Sequence, residues 1–175
     1  MNLRIEPLTN KHLDQIMLLQ DQVFEDLKEN ASILRRNTRE MFDLCLRNPN
    51  LTLGMYDKDA LIGIAILVDV KGSEEDLSLH LQKEYCLPVR PVNFKLAMVK
   101  KEYYGIGFQK TMLILLEKVA RERGYNLMCA TVSPKNIHSK KNLLEFGFVV
   151  DHTEEKYGGL LRDVCVKPLE GGIEI

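Results

Sequence analysis

Residues 96–108 read LAMVKKEYYGIGF, and this stretch decides the fold. Apolar and more polar residues alternate from Val92 to Val99, which predicts a β-strand. Gly105 and Gly107 follow and precede a strongly amphipathic helix. Glycines at the start of a helix leave backbone N–H groups free, and the helix dipole favours negative charge there. The stretch therefore predicts a strand–loop–helix unit that binds an anion such as a pyrophosphate, although a tight turn would use the same glycines.

Three nucleotide-binding motifs do not match this loop. A P-loop requires Gly-Lys-Ser/Thr, whereas Gly107 is followed by Phe108 and Gln109. The dinucleotide fingerprint requires a third glycine where the chain has Lys110. A kinase glycine-rich loop lies on a hairpin, whereas this loop leads into a helix.

The remaining sequence predicts a single mixed α/β domain over residues 1–175. Alternating or continuous apolar runs predict strands, and apolar residues spaced by three and four predict helices. The predicted strands cover residues 3–5, a hairpin of 51–56 with 60–70, and then 92–99, 127–132, 148–150 and 161–166. The predicted helices are two between residues 10 and 47, a long one after Gly107 that ends at Gly124, and a short one from Asn136 to Gly147. The segment from Gly72 to Pro91 is predicted to form a short helix and a loop.

Composition and charge exclude several classes of function. The chain of 175 residues has 24 basic and 25 acidic residues, so no net field draws it to nucleic acid or to a membrane surface. Its longest apolar stretch, from Leu61 to Val68, is far shorter than the roughly 18 residues that span a bilayer. The first residues lack the apolar core of a signal peptide, and we therefore expect a cytoplasmic protein.

The cysteines and histidines do not follow a metal-binding pattern. Cys45, Cys86, Cys129 and Cys165 are far apart and include no Cys-x-x-Cys pair. The four histidines are equally scattered. We therefore expect no metal, and we predict that the cysteines are reduced and buried rather than joined in disulfides.

The strand–glycine–helix unit resembles the acetyl-CoA-binding core of the GCN5-related N-acetyltransferases (GNAT). The family motif is Arg/Gln-x-x-Gly-x-Gly/Ala, and residues 102–107 read EYYGIG. Downstream, family members have a strand, an Asn, a short helix and Gly-Phe, which Asn136 and residues 146–148 (FGF) match at the same separations. The resemblance is clearest over residues 92–148 and extends by strand order to about residues 3–167.

The resemblance implies a twisted, mostly antiparallel sheet of about seven strands flanked by helices. The strands over residues 92–99 and 127–132 would be parallel neighbours that splay apart, and the pantetheine arm of acetyl-CoA would enter between them. The implied cofactor-binding residues lie on the first strand, in the glycine loop and on the helix after the second strand: Leu96, Ala97, Tyr103, Tyr104, Gly105, Ile106, Gly107, Phe108, Asn136 and Ser139. An N-cap role for Asn136 and a surface position for Ser139 fit the sequence equally well.

Two departures from the family pattern concern charge and catalysis. Glu102 stands where Arg or Gln is usual, and its carboxylate would repel a pyrophosphate unless it faced solvent. Leu143 stands where many members have a Tyr that protonates the leaving thiolate, and Thr131 stands at the usual position of the base. The resemblance therefore assigns no catalytic residue.

Tyr157 and His138 are the remaining polar candidates for catalysis. We expect Tyr157 to be a half-buried strand residue and His138 an exposed helix residue. General acids and bases contribute about 100-fold or more to a rate. The sequence thus predicts that replacing either residue lowers kcat by no more than roughly tenfold, with proton transfer running through water.

The resemblance implies transfer of the acetyl group of acetyl-CoA to a primary amine of a small molecule or peptide that the sequence does not identify. A CoA-binding sensor or interaction domain without turnover is the alternative, and an unrelated α/β fold is a third. The segment 72–91 would form one wall of the acceptor site, with Glu74, Glu75 and Asp76 attracting a cationic amine, or would be a solvated helix start. No nucleic-acid or membrane partner is expected, and a homodimer is left open.

Overall fold

The computed structural model describes residues 1–85 and 88–169. Within these ranges the strands are β1 (Leu3–Pro7), β2 (Leu51–Asp57), β3 (Ala60–Val68), β4 (Pro91–Val99), β5 (Leu127–Val132), β6 (Val149–Lys156) and β7 (Leu160–Pro168). The α-helices are α1 (Leu13–Leu27), α2 (Arg39–Cys45), α3 (Phe108–Glu122) and α4 (Ile137–Glu145). The segment after β3 contains a short 3-10 helix, Leu77–His80, within a longer loop. Each predicted strand and helix has its counterpart, and except for β6 the ends differ by a few residues.

All seven strands form one sheet in the order β1-β2-β3-β4-β5-β7-β6. Neighbouring strands are antiparallel except β4 and β5, which are parallel. In the described residues this parallel pairing covers three residue pairs, from Pro91 opposite Leu127 to Asn93 opposite Cys129, and the strands separate beyond them. The predicted architecture, a mostly antiparallel sheet with a splayed parallel pair, is confirmed.

Both faces of the sheet are covered. On one face α3 and α4 bury Met112, Leu116 and Leu143 against the strands. On the other face α1 and α2 pack on β2, β3 and β4. The 3-10 segment after β3 packs Leu77 and Leu81 on β5 and β7, on the same side as α1 and α2 because the opposite side of β5 belongs to the α3 core. The loop before α2 and this segment thus lie on one face of the sheet.

The last hairpin is longer than the sequence predicts. The apolar run 148–150 predicts a three-residue strand, whereas β6 covers Val149–Lys156 and Phe148 lies buried just before it. β6 is the edge strand of the sheet, and residues 151–156 are mostly polar and partly exposed. Polar residues are common on edge strands because they discourage pairing with other chains. Such a strand lacks the apolar alternation from which strands are predicted.

Gly63 of β3 allows α3 to begin close to the sheet. A Cβ at this position would lie 2.6 Å from the ring of Phe108 and 2.9 Å from the carbonyl oxygen of Met98. Phe108 is the first residue of α3 and is buried. The missing side chain of Gly63 therefore fixes where the N-terminus of α3 lies relative to β3 and β4.

The buried cysteines are reduced. Cys45, Cys129 and Cys165 are free and buried, as predicted, whereas Cys86 lies outside the described residues. Burial raises the pKa of Cys45 to about 11, so its thiol is a packing group and not a nucleophile.

In the ranges 1–85 and 88–169, no three His, Cys, Asp or Glu side chains are grouped as a metal site requires. No helix in these ranges is long and apolar enough to cross a membrane.

Candidate functional site

The loop between β4 and α3 contains two glycines in the left-handed region. A 3-10 turn over Lys101–Tyr103 leads to Gly105 at φ +87° and Gly107 at φ +78°. Residues with a side chain rarely adopt such angles. No atom lies within 4 Å of a Cβ built on either glycine, so the loop faces open space. The backbone conformation, and not close packing, requires glycine here, and the loop remains accessible to a ligand.

The backbone N–H groups of residues 105–110 form no hydrogen bond within the described part of the chain. Three of them begin α3, a helix of 15 residues whose dipole places partial positive charge at this end. The N–H groups of Tyr103 and Tyr104 instead donate to the carbonyls of Lys100 and Lys101. The sequence predicted that the amides of residues 103–108 bind the anion. The N–H groups without a hydrogen bond are those of residues 105–110, so they begin two residues later and include the first turn of α3.

The side chain of Tyr103 anchors the loop against β2. The hydroxyl of Tyr103 donates to Oδ2 of Asp57 at 3.1 Å, and its ring packs on the core. The side chain of Tyr104 is 56% exposed. Glu102 is also exposed, so water solvates the carboxylate that departs from the family pattern. Tyr103 thus has a structural role at this position.

A cleft opens where β4 and β5 separate. Gln109, in the first turn of α3, connects this cleft to the glycine loop. The cleft is lined by the loop before α2 (Ile33, Leu34, Arg35, Asn37), by β4 (Phe94, Lys95, Leu96, Ala97), by Gln109, by β5 (Thr131, Val132), by α4 (Asn136, Ser139, Leu143), and by Tyr157 and Arg162 of the last hairpin. Four residues predicted from the sequence line the cleft: Leu96, Ala97, Asn136 and Ser139.

The start of α4 is joined to the start of α3 by side-chain hydrogen bonds. Asn136 is the N-cap of α4, and its Oδ1 accepts from the N–H of Ser139 at 3.2 Å. The hydroxyl of Ser139 accepts from Nε2 of Gln109 at 2.8 Å, and Oε1 of Gln109 accepts from Asn142 at 3.0 Å. Asn136 therefore has the N-cap role, which leaves its amide nitrogen available, and Ser139 already has a protein partner.

Tyr157 reaches the cleft from a turn, not from a strand. It lies between β6 and β7, at φ +53°, an unusual conformation for a residue with a side chain. Its hydroxyl is 3.1 Å from Oγ1 of Thr131, on the part of β5 that has left β4. Arg35 stacks on its ring with the guanidinium carbon 4.1 Å from the ring centre. The expected strand position is wrong, and the cleft gains a phenol on the wall opposite β4.

Leu143 occupies the helix position where the family pattern has a tyrosine, and it is buried while lining the same cleft. His138 is exposed on α4, as expected, and is not among the lining residues. The sequence named Tyr157 as a remaining polar candidate but expected it on a strand, whereas the structure brings its hydroxyl into the cleft beside Thr131. The only signal for Tyr157 was its position before Gly158 and Gly159, which marks a turn.

Three cationic side chains line the cleft. Nη1 of Arg35 lies 3.0 Å from Oε1 of Glu75, and Nζ of Lys95 lies 3.8 Å from Oε2 of the same carboxylate. Burial lowers the pKa of Lys95, and attraction to Glu75 offsets part of this effect. Arg162 donates to the carbonyl of Ser32 at 2.8 Å and thereby holds the loop before α2 over the cleft.

A shallow acidic groove adjoins the cleft and shares Tyr157 with it. Its other lining residues are Glu74, Glu75, His80, Glu154, Glu155 and Lys156. Glu74 and Glu155 are exposed. Asp76, the third acid expected in the acceptor site, is instead buried and accepts from the N–H groups of Gly72 and Ser78. The segment thus presents two of its three acids near the cleft, and the third stabilises its own turn.

Comparison by sequence finds no relative: no family model matches the chain, and no curated protein matches it. The three-dimensional structure does match solved structures. An acetyltransferase of the GNAT family from Streptococcus pneumoniae has a TM-score of 0.68 at 15% identity, with 96% of this chain and 100% of that chain covered. The ribosomal-protein-S18-alanine N-acetyltransferase from Escherichia coli has a TM-score of 0.70 at 13% identity, with coverage of 99% and 95%.

A third similar structure was solved with acetyl-CoA. It is a putative acetyltransferase from Salmonella typhimurium, with a TM-score of 0.70 at 15% identity and coverage of 97% of this chain and 95% of that chain. The three superpositions extend over nearly the whole of both chains, although the sequences have diverged almost completely. The similarity is therefore one of architecture, and the chain has the fold of the GNAT acetyltransferases.

Proposed function

We propose that the chain is an N-acetyltransferase that transfers the acetyl group of acetyl-CoA to a primary amine. One observation carries the proposal: the unpaired N–H groups of residues 105–110 adjoin a cleft lined by the unpaired side of β4. A row of free amides at a helix start suits a pyrophosphate, and an unpaired strand edge suits a pantetheine arm with its amide groups. Both features lie on one continuous surface.

The residues present fit this cofactor. The amides of residues 105–110 would hold the pyrophosphate, with Gly105 and Gly107 giving close backbone approach. The backbone of Leu96 and Ala97 would pair with the pantetheine arm, and the amide nitrogen of Asn136 would donate from the facing helix. Acetyl-CoA supplies an acetyl group activated as a thioester. The hydroxyl of Ser139 accepts from Gln109 and would use its own O–H to donate to the cofactor.

The chain's own contribution to the chemistry is positioning and proton transfer. An alkylamine with a pKa near ~10 is mostly protonated at neutral pH, so it must lose a proton before it attacks. Tyr157 would donate the proton that the departing sulfur requires, and the hydroxyl of Thr131 would then stabilise the phenolate. Arg35 stacks on the ring of Tyr157 and holds the phenol in place. Holding both reactants in the cleft supplies much of the remaining rate.

The acceptor is proposed only as a class. The neighbour from Escherichia coli acts, by its name, on an alanine of a ribosomal protein. For this chain, the groove bearing Glu74 and Glu155 would attract an acceptor with positive charge beyond the reacting amine. The buried, reduced cysteines support a cytoplasmic location.

A second candidate function is binding of CoA thioesters without turnover. Two observations favour it: Leu143 replaces the tyrosine of the family pattern, and Gln109 bridges α3 and α4 across the cofactor cleft. Such a domain would report the presence of its ligand to a partner. It would bind acetyl-CoA but release no thiol.

Calorimetric titration with acetyl-CoA, followed by a thiol-release assay with an amine panel, tests the proposal. The panel should include alkylamines, polyamines, amino acids and peptides with basic and acidic N-terminal sequences. We expect binding, and thiol release with at least one cationic acceptor together with its acetylated product. Binding with no turnover across the panel would favour the sensor function, and no binding would overturn both.

A further inference from the structure

Lys95 holds an unusual position on the wall of the cleft. Its neighbours in β4 pair with Ile66 and Leu67 of β3, and Lys95 itself is skipped by a bulge in that register. On the other side, pairing of β4 with β5 ends at Asn93. Lys95 therefore lies two residues beyond the last pair, where the two strands begin to separate.

The ammonium group of Lys95 is poorly compensated. The Lys95 side chain is 11% exposed, and Nζ lies 3.8 Å from Oε2 of Glu75. Both oxygens of Glu75 are closer to Nη1 of Arg35, at 3.0 and 3.1 Å. A long contact to a carboxylate shared with an arginine offsets little of the cost of burying a charge.

Burial consequently lowers the pKa of Lys95 and raises the fraction of neutral amine at a given pH. A neutral amine is the nucleophilic form. The surrounding groups are also fixed in place: the carbonyl of Glu75 accepts from Nδ2 of Asn93 at 2.7 Å, and Arg35 is stacked on Tyr157. The amine thus lies among groups of the cleft wall that each have a partner.

We propose that Lys95 is a self-acetylation site, at which the protein modifies itself with bound acetyl-CoA when no acceptor occupies the cleft. This inference rests on the proposed function, because it places the thioester arm along Leu96 and Ala97, next to Lys95 in β4. Nζ of Lys95 forms an amide bond to the acetyl carbon while the carbon–sulfur bond of the thioester breaks. The proton that Nζ loses is matched by the proton that the sulfur gains, so CoA leaves as the free thiol.

Acetylation of Lys95 would inhibit acetyl transfer to the acceptor amine. The product is a neutral amide that no longer interacts with Glu75 as a cation, and it extends further into a cleft that is already narrow. An acceptor amine would compete with Lys95 for the same thioester. The modification would therefore accumulate when acetyl-CoA is plentiful and the acceptor is scarce.

Mass spectrometry of the intact protein, with peptide mapping after incubation with acetyl-CoA alone, tests this inference. A nucleophile held beside its electrophile reacts faster than a free one. We expect one added acetyl group, on Lys95, at a rate roughly tenfold or more above that of Lys118, whose side chain is 73% exposed on α3. The Lys95→Arg variant should lose this modification, and Gly107→Glu, which blocks the proposed pyrophosphate site, should slow it to the rate of Lys118.

The possible failures are distinguishable. If calorimetry shows that acetyl-CoA binds but Lys95 reacts no faster than Lys118, the self-acetylation site is overturned and the proposed function stands. If acetyl-CoA does not bind at all, the proposed function fails and this inference fails with it. Peptide mapping of the acetylated wild-type protein tests whether Lys95 is modified even if the Lys95→Arg variant does not fold.

Discussion

The hydroxyl groups of Thr131 and Tyr157 lie 3.1 Å apart and join β5 to the turn between β6 and β7. The bond forms on the part of β5 that has separated from β4, so it helps to define the open cleft. Because Tyr157 adopts φ +53°, its backbone conformation costs free energy that the surrounding structure must supply. Such strain is often found where a side chain has to point into a site.

Replacing Tyr157 tests its proposed role as proton donor. We expect Tyr157→Phe to keep the ring stacked under Arg35 but to lower kcat about 100-fold, because the departing sulfur loses its proton source. Thr131→Val, which removes the partner and leaves the phenol, should lower kcat by less. Steady-state kinetics with saturating acetyl-CoA measures both. If Tyr157→Phe lowers kcat by less than tenfold, Tyr157 is not the proton donor, and the sequence-based prediction that protons move through water stands.

Replacing Gly107 tests the proposed pyrophosphate site. Gly107→Glu should nearly abolish acetyl-CoA binding because it places a carboxylate beside the free amides of residues 105–110. Gly107→Ala is the matched control, since it carries the same backbone strain of about 1–2 kcal/mol at positive φ without the charge. Calorimetry should show that the alanine variant binds within a few-fold of wild type. Equal affinity in a folded glutamate variant would refute the assignment.

Neutralising the acidic groove tests the acceptor class. The double variant Glu74→Gln/Glu155→Gln removes its two exposed acids and leaves the buried Asp76 to stabilise its turn. We expect KM for a polycationic acceptor to rise roughly threefold to tenfold at low salt, with acetyl-CoA affinity unchanged. Glu122→Gln, at the distant end of α3, serves as the control for a lost surface charge. An unchanged KM in the double variant would remove the groove from the acceptor site.

The ion pair between Asp163 and Lys140 should make stability depend on pH. Burial by itself raises the pKa of Asp163, but hydrogen bonds from Lys140 and Thr153 outweigh it and leave that pKa below its usual value near 3.8. A carboxyl with a lowered folded-state pKa stabilises the protein above its unfolded pKa and loses this contribution as the pH falls through the folded pKa. The contribution is therefore present at neutral pH and absent in strong acid.

Asp163→Asn should thus unfold more easily than wild type at about pH 7, and the difference should narrow only as the pH falls below the ordinary carboxyl pKa near 3.8. Urea unfolding followed at several pH values measures the difference. Glu122→Gln is again a suitable control, because its ion pair with Lys118 lies on the surface at 4.0 Å and should contribute little. A difference for Asp163→Asn that does not change with pH would mean that packing, and not charge, holds α4 on β7.

Much of the fold was predictable because patterns among residues close together in the sequence indicate it. The alternation in β4, the glycines at 105 and 107 and the apolar stripe of α3 lie within about thirty residues, and each depends only on nearby neighbours. Strand order and the splayed parallel pair followed from the family resemblance. β6 was predicted too short because a polar edge strand carries no apolar alternation.

The candidate site was predictable only where it is local. Leu96, Ala97 and Asn136, predicted to bind the cofactor, line the cleft because they lie on the strand before the glycine loop and at the start of the helix after β5. Tyr157 meets Thr131 only through the register of two later strands, and Lys95 gains its position from a bulge that depends on β3. Such contacts arise from how distant segments pair, and single-sequence patterns do not encode that pairing.

The three residue pairs that join β4 to β5 leave a sheet edge in the middle of the fold. An unpaired edge is normally kept at the rim of a protein and blunted, because it invites pairing with other chains. Here β1 to β4 are joined to β5, β7 and β6 only through these residue pairs. A bound acyl donor would occupy the gap between β4 and β5 beyond them. A ligand that binds only the folded state adds to stability in proportion to the logarithm of its concentration. If the chain binds acetyl-CoA as proposed, we therefore expect the fraction of folded protein to rise with the concentration of acetyl-CoA.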